Sequence, residues 1–113
     1  MPGKKAISGY KTMWLFAMFD LPVDSAPARR AYTRFRKALL NEGFTMLQFS
    51  VYARPCATEE IGHAHRKRIR DILPDEGEVR LVSITDTQFS KMEIFLGKTR
   101  GEPEKEMEQL MFF

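Results

Sequence analysis

The sequence predicts an α+β sandwich in which two helices lie on one face of a small sheet. Three observations lead there. Apolar runs of strand length, Met13–Asp20, Phe44–Arg54 and Val79–Thr85, alternate with two segments of helical period. Proline or glycine punctuates their ends, at Pro22, Gly43, Pro55 and Pro74. A chain of 113 residues, 43% hydrophobic and 29% charged, suits one domain with one modest core.

Residues 1–11 show no hydrophobic period and are expected to form a flexible lead-in. Met13–Asp20 is short, continuously apolar and rich in bulky aromatics, as a covered central strand should be. Pro22, with no N–H for a ladder, ends it. Asp24 or Ser25 then caps a helix with Pro27 in its first turn, running to Gly43 as the residue after the C-cap. Ala28, Ala31, Tyr32, Phe35, Ala38 and Leu39 fall on one side of it, and five cations spread over the rest.

Phe44–Arg54 alternates, with Leu47, Phe49, Val51 and Ala53 on one face and Met46, Gln48, Ser50 and Tyr52 on the other. Pro55 is expected to close this strand. Thr58 caps a second helix, TEEIGHAHRKRIRDIL, whose early glutamates and later cations suit the helix dipole. Its apolar stripe is Ile61, His65, Ile69 and Ile72, and Pro74 stops it. DEGE turns the chain into the strand Val79–Thr85, Asp86–Ser90 connects, and Lys91–Gly97 reads as a further strand. KTRGEPEK is a polar linker before the apolar end MEQLMFF, which needs somewhere to dock.

This order approaches a ferredoxin-like βαββαβ sandwich but lacks one strand between the helices. Either residues 44–54 bend into two strands, or a short strand near 53–57 completes the set. The core is then residues 12–97 of a single domain, with 98–113 as linker and C-terminal strand. The sheet face bearing Gln48, Ser50 and Tyr52 needs a cover, which a homodimer pressing two sheets together supplies.

No run reaches the roughly 18 apolar residues of a spanning helix, and MPGKKAISGYKT has no apolar signal core, so no membrane role is expected. The one cysteine, Cys56, has no internal partner, and no Cys/His set has zinc spacing; the cytoplasm is the expected compartment. The net charge is +3, unevenly spread. Residues 29–70 carry ten basic against three acidic groups, whereas residues 71–113 carry five against ten. The middle of the chain is therefore a candidate polyanion surface, against the plainer reading of two solvated helix faces.

MWLFAMFDLP, then RRAYTRFRKALLNEGFTMLQFSVYARP and EVRLVSITDTQFSKMEIFLG, together resemble the second core adaptation protein of CRISPR systems. This is the small partner of the CRISPR integrase, often described as a metal-dependent endoribonuclease. The resemblance covers roughly residues 13–113 and is best to variants that accompany type II systems. It implies a ferredoxin-like homodimer with facing sheets and a C-terminal strand exchanged with the partner, here MEQLMFF. It implies a role in spacer acquisition, the dimer bridging two integrase dimers while holding a short DNA duplex for insertion into the repeat array. It also implies that Asp20 is the metal-linked aspartate. Many members carry tyrosine before that aspartate; here the residue is Phe19, which removes a phenol tied to nuclease activity.

Each candidate has a plainer alternative. Asp20 is a metal ligand and catalytic residue if the protein is active, or a strand-end acid that caps a turn. Mg²⁺ takes one or two carboxylates plus water and phosphate oxygens, and two copies of Asp20 meeting across a dyad would supply the pair. Arg29, Arg30, Arg34 and Lys37, with Arg66, Lys67 and Arg70, are candidate contacts to double-stranded DNA or serve solubility. Ser50, Tyr52, Leu110, Phe112 and Phe113 are the expected dimer interface. His65 reads as a packed, hydrogen-bonded core residue, His63 as part of the basic face, and Cys56 as a silent thiol. Three functions follow: a DNA-holding scaffold, a Mg²⁺-dependent phosphodiesterase acting on RNA or duplex DNA, or a dimer that binds protein only.

Overall fold

The computed structural model describes residues 12–101. The expected lead-in, the exchanged strand and the interface residues Leu110, Phe112 and Phe113 lie outside them. The core runs β1 (Met13–Asp20), α1 (Ala26–Asn41), β2 (Thr45–Gln48), β3 (Val51–Cys56), α2 (Glu59–Asp71) and β4 (Glu78–Thr85). The four strands form an antiparallel sheet in the order β2-β3-β1-β4. That is the ferredoxin-like arrangement, and the missing strand arises because residues 44–54 do bend into two.

Phe49 and Ser50 make the bend, with Ser50 at φ 65°, so the single alternating strand read from the sequence is a hairpin instead. A register shift between Met46 and Gln48 adds an irregularity to β2. Strand β3 continues through Pro55 rather than ending there. β2 reaches only Ala53 along it, so one flank of β3 at Pro55 is unpaired and an absent N–H is tolerated on that side.

Central strand β1 is buried on both faces until Asp20. Leu15, Ala17 and Phe19 point to the helices and join Phe35 and Leu39 of α1, Ile69 of α2 and Tyr52 of β3. Phe19 meets Phe35 edge-on at 5.2 Å and stacks on Tyr52 at 5.6 Å. Tyr52 is thus in the protomer's own helix-side core, not on a face left for a partner. The sequence reading had the two faces of this strand reversed. Alternation alone could not say which face meets the helices, because both sets contain apolar residues.

The opposite face carries Trp14, Phe16 and Ala53, and the chain covers half of it unaided. Residues 86–90, expected as a plain connection, form a short helix α3 (Asp86–Ser90) held by a capping box between Thr85 and Gln88. Phe89 stacks on Trp14 at 3.8 Å, and the Trp14 indole N–H donates to Asp86 Oδ1 at 2.7 Å. Met92 packs beside them. The expected strand over 91–97 shrinks to β5 (Phe95–Leu96), which pairs with β6 (Thr99–Arg100) inside what was read as linker. Met92 packs on the sheet beside Phe89 instead of extending a strand, and Ile94 accepts from the Gly101 N–H through its carbonyl.

Both main helices start and stop where their cap residues dictate. Ser25 Oγ accepts from Ala28 N–H at 3.2 Å, and Thr58 Oγ1 from Ile61 N–H at 3.1 Å. Helix α1 ends through Glu42 and Gly43. Of the expected α2 stripe, His65 and Ile69 are buried while Ile61 and Ile72 remain exposed.

One polar cluster ties the two helices together. Glu42 Oε1 accepts from His65 Nδ1 at 2.6 Å and from Arg68 Nε at 2.8 Å, and Arg54 Nη1 donates to the Glu42 carbonyl at 2.6 Å. With the proton on Nδ1, Arg68 Nη2, 3.1 Å away, is a charge beside the ring rather than a hydrogen bond. Burial lowers the His65 pKa below its ordinary 6.5; the Glu42 bond opposes this and the Arg54 and Arg68 charges reinforce it. Burial works to raise Glu42, but the bonds and charges of Arg68 and His65 prevail and hold it below 4.5.

Two outcomes are expected. Phe89→Ala uncovers Trp14 and should cost about 3–5 kcal/mol in a denaturant titration. Acid should weaken the fold. The unfolded chain takes up a proton at His65 as pH falls through 6.5, whereas the folded chain resists until a lower pH, and Glu42 adds a further loss below 4.5. The unfolding midpoint should therefore fall between about pH 7 and pH 5, and Glu42→Gln should remove the more acidic part of the decline.

Candidate functional site

Asp20 is where β1 meets water. It shares a side of the sheet with Trp14, Phe16 and Met18 by alternation, and it is exposed. Phe19, its neighbour, points the opposite way into the helix-side core. Directly across the ladder stands Glu78. Residues so paired have Cβ atoms about 4.5–5.5 Å apart on one face. Glu78 Oε1 is 3.3 Å from Arg80 Nε, with both side chains more than half exposed, a weak pair in water.

The backbone around Asp20 is tightly held. Phe19 N–H donates to Ser50 O at 3.0 Å on the β3 side. On the β4 side, the turn before Glu78 brings Gly77, at φ 96°, against the Asp20–Leu21 backbone. Phe49, at the tip of the β2–β3 hairpin, is 87% exposed, an unusual state for a phenylalanine.

Two carboxylates at an open edge fit a hydrated Mg²⁺, which keeps several waters and takes its remaining oxygens from phosphate. They do not make a closed cage: among the described residues, no three His, Cys, Asp or Glu side chains converge. Asp20 and Glu78 are the residues of this chain that would hold such an ion.

The predicted cations divide into free and engaged groups. On α1, Arg30, Arg34 and Lys37 are exposed at a spacing that puts them along one stripe, and none is in an ion pair among the described residues. Arg29 is exposed but donates to Val23 O at 3.1 Å, closing the entry to the helix. On α2, Lys67 and Arg70 are exposed, with His63 on the same stripe. Arg66 is different: half-buried, it donates to Ser83 Oγ at 2.6 Å and is tied to the sheet. Arg34 and Lys37 also line one wall of an open cleft of about 790 Å³ beside residues 72–76, where Asp75 and Glu76 form the other wall.

Sequence reasoning missed Glu78, Arg68 and Phe49. Glu78 lies far from Asp20 along the chain, and only strand register brings them together. Arg68 looked like one more surface cation until the fold placed Glu42 beside it. Phe49 had the parity of a core residue; the hairpin turn removed it from the alternation. Ser50, read as interface, makes a hydrogen bond within its own protomer, with Tyr32 Oη 3.2 Å from its Oγ.

The family described as CRISPR associated protein Cas2 matches residues 13–92. A protein of Parvibaculum lavamentivorans named CRISPR-associated endoribonuclease Cas2 is 50% identical over 101 residues, covering 89% of this chain and 100% of that one. A protein of the same name from Flavobacterium psychrophilum is 43% identical over 107 residues, covering 95% and 93%. Another from Streptococcus mutans is 41% identical over 88 residues, covering 78% and 80%. A match of this extent, on a sheet of the expected order, places the chain in the CRISPR-associated protein Cas2 family.

Proposed function

We propose that the protein is a homodimeric, cytoplasmic scaffold of CRISPR spacer acquisition, holding short double-stranded DNA and bridging integrase dimers for insertion into the repeat array. The observation that carries this reading is the exposed stripe of Arg30, Arg34 and Lys37 on α1, in no ion pair among the described residues, with a second exposed set, Lys67 and Arg70, on α2. Such a surface attracts phosphate without reading bases, through charge and counterion release. Arg29 and Arg66 act chiefly within the protomer, positioning the helix entry and the sheet edge, and contribute less to this track. The acidic wall at Asp75 and Glu76 bounds the track on one side.

A second copy covers what α3 leaves incompletely covered on the open sheet face, the half-buried Met18 and the exposed Val82, together with the exposed Phe49 at the hairpin tip. This is the Asp20 half of that face, so dimerisation brings the two Asp20 corners towards each other.

Charge reversal of Arg30 and Arg34 together should abolish binding of a short duplex, while the dimer sediments normally. Wild-type affinity should fall steeply with salt and be indifferent to sequence, with each phosphate neutralised adding about 0.9 to the logarithmic salt slope. Undiminished binding by the double reversal would refute the scaffold surface.

A second reading is favoured by the exposed Asp20–Glu78 pair and by the relatives' endoribonuclease name: a Mg²⁺-dependent phosphodiesterase acting on RNA or duplex DNA. The ion, when bound, would polarise a phosphate and lower the pKa of a water. Asp20 would anchor it and Glu78 orient its water shell, both at an edge open to a long nucleic acid. Purified protein should then cleave RNA or duplex only with metal, and Asp20→Ala should remove at least about 100-fold of the rate. Cleavage that survives Asp20→Ala would assign the activity elsewhere.

A further inference from the structure

Asp20 is the last residue of the central strand, and a carboxylate there would ordinarily share the looseness of a strand end. Here both neighbouring strands grip the backbone beside it. On the β4 side, a Cβ placed at Gly77 would stand 2.8 Å from the Asp20 carbonyl oxygen, 3.0 Å from Leu21 Cα and 2.6 Å from Leu21 Cδ2. Only a residue without a side chain fits so close, and its φ of 96° demands glycine a second time. On the β3 side, Ser50 accepts the Phe19 N–H through its carbonyl at 3.0 Å. Ser50 is also the one non-glycine with positive φ among the described residues, at 65°. Its Oγ lies 3.2 Å from Tyr32 Oη, which ties the turn to α1. Backbone strain of this kind persists where surrounding structure over-determines it, and it gathers at functional positions.

We propose that Gly77 and Ser50, the latter held by Tyr32, are positioning residues that fix the Asp20 carboxylate for a divalent cation. The inference rests on the reading of Asp20 as a metal ligand. Neither residue touches the ion. Gly77 sets how closely the β4 turn approaches, and so sets the separation of Asp20 from Glu78, the next residue after that glycine. Ser50 sets the height of the strand end against the β2–β3 turn. Tyr32 transmits the position of α1 to that turn through one hydroxyl pair.

The test uses the full chain and Mn²⁺ alone as probe, counting free ion by electron paramagnetic resonance. Duplex affinity and the unfolding midpoint are measured on the same samples. Asp20→Asn should abolish binding. Gly77→Ala should weaken Mn²⁺ about tenfold, as loss of an outer-shell support does, and Tyr32→Phe should weaken it about threefold. Duplex affinity should stay at the wild-type value in both. A merely structural role would lower the midpoint and the duplex affinity together, without selective loss of the ion. If Asp20→Asn loses Mn²⁺ while Gly77→Ala and Tyr32→Phe bind it like wild type, the positioning role is refuted and the metal reading stands. If Asp20→Asn binds Mn²⁺ like wild type, the metal reading fails and carries the inference with it. Should Gly77→Ala not fold, Tyr32→Phe decides by the same criterion.

Discussion

The two-sided burial of β1 governs the rest of the molecule. A strand with Leu15, Ala17 and Phe19 on one face and Trp14 and Phe16 on the other cannot be satisfied by helices alone, because α1 and α2 lie on a single side. The second face must find another cover, and α3 supplies it over the first half of the strand. What α3 does not reach is the end at Asp20. The place where apolar cover runs out and the place where the carboxylate emerges are therefore the same place, and one geometric limit produces both.

That coincidence connects packing to electrostatics. The helix layer is anchored by Glu42, His65 and Arg68, so part of the cationic charge of α2 is spent on holding the helices in register. The rest, with the α1 stripe, stays in water. Charge that is free to meet a phosphate is charge that the fold did not need. Arg66 and Arg29 show the other choice, with their guanidinium groups drawn back to Ser83 and to the Val23 carbonyl. A count of basic residues in the sequence overstates the available surface for this reason.

Much of the fold was legible in the sequence, because its signals are local. Ser25, Pro27, Gly43 and Thr58 mark helix ends through caps formed within a few residues, and the structure uses them as read. His65 was legible as a packed, bonded core residue for the same reason, standing amid an apolar stripe. What was not legible depends on pairing at a distance. The alternation over 44–54 is genuine, yet a two-residue turn at Phe49–Ser50 breaks it, and Phe49 is not a typical turn former while a single Ser is a weak turn signal. The facing of Tyr52 depends on the register of Ala17 with it, which nothing near Tyr52 encodes. The Asp20–Glu78 juxtaposition is the same kind of fact, and so the candidate site was half visible: its first acid from a local motif, its second only from the ladder.

The contact of Trp14 with Phe89 has a practical consequence. Trp14 is the chain's sole tryptophan, so all of its indole fluorescence originates at one point, beneath α3. The ring is 1% exposed and its N–H is bound to Asp86. Lifting that small helix would wet the fluorophore and redden its emission while the main sheet stayed intact. The protein thus carries a built-in optical gauge of whether its lesser sheet face is closed, readable without any added label.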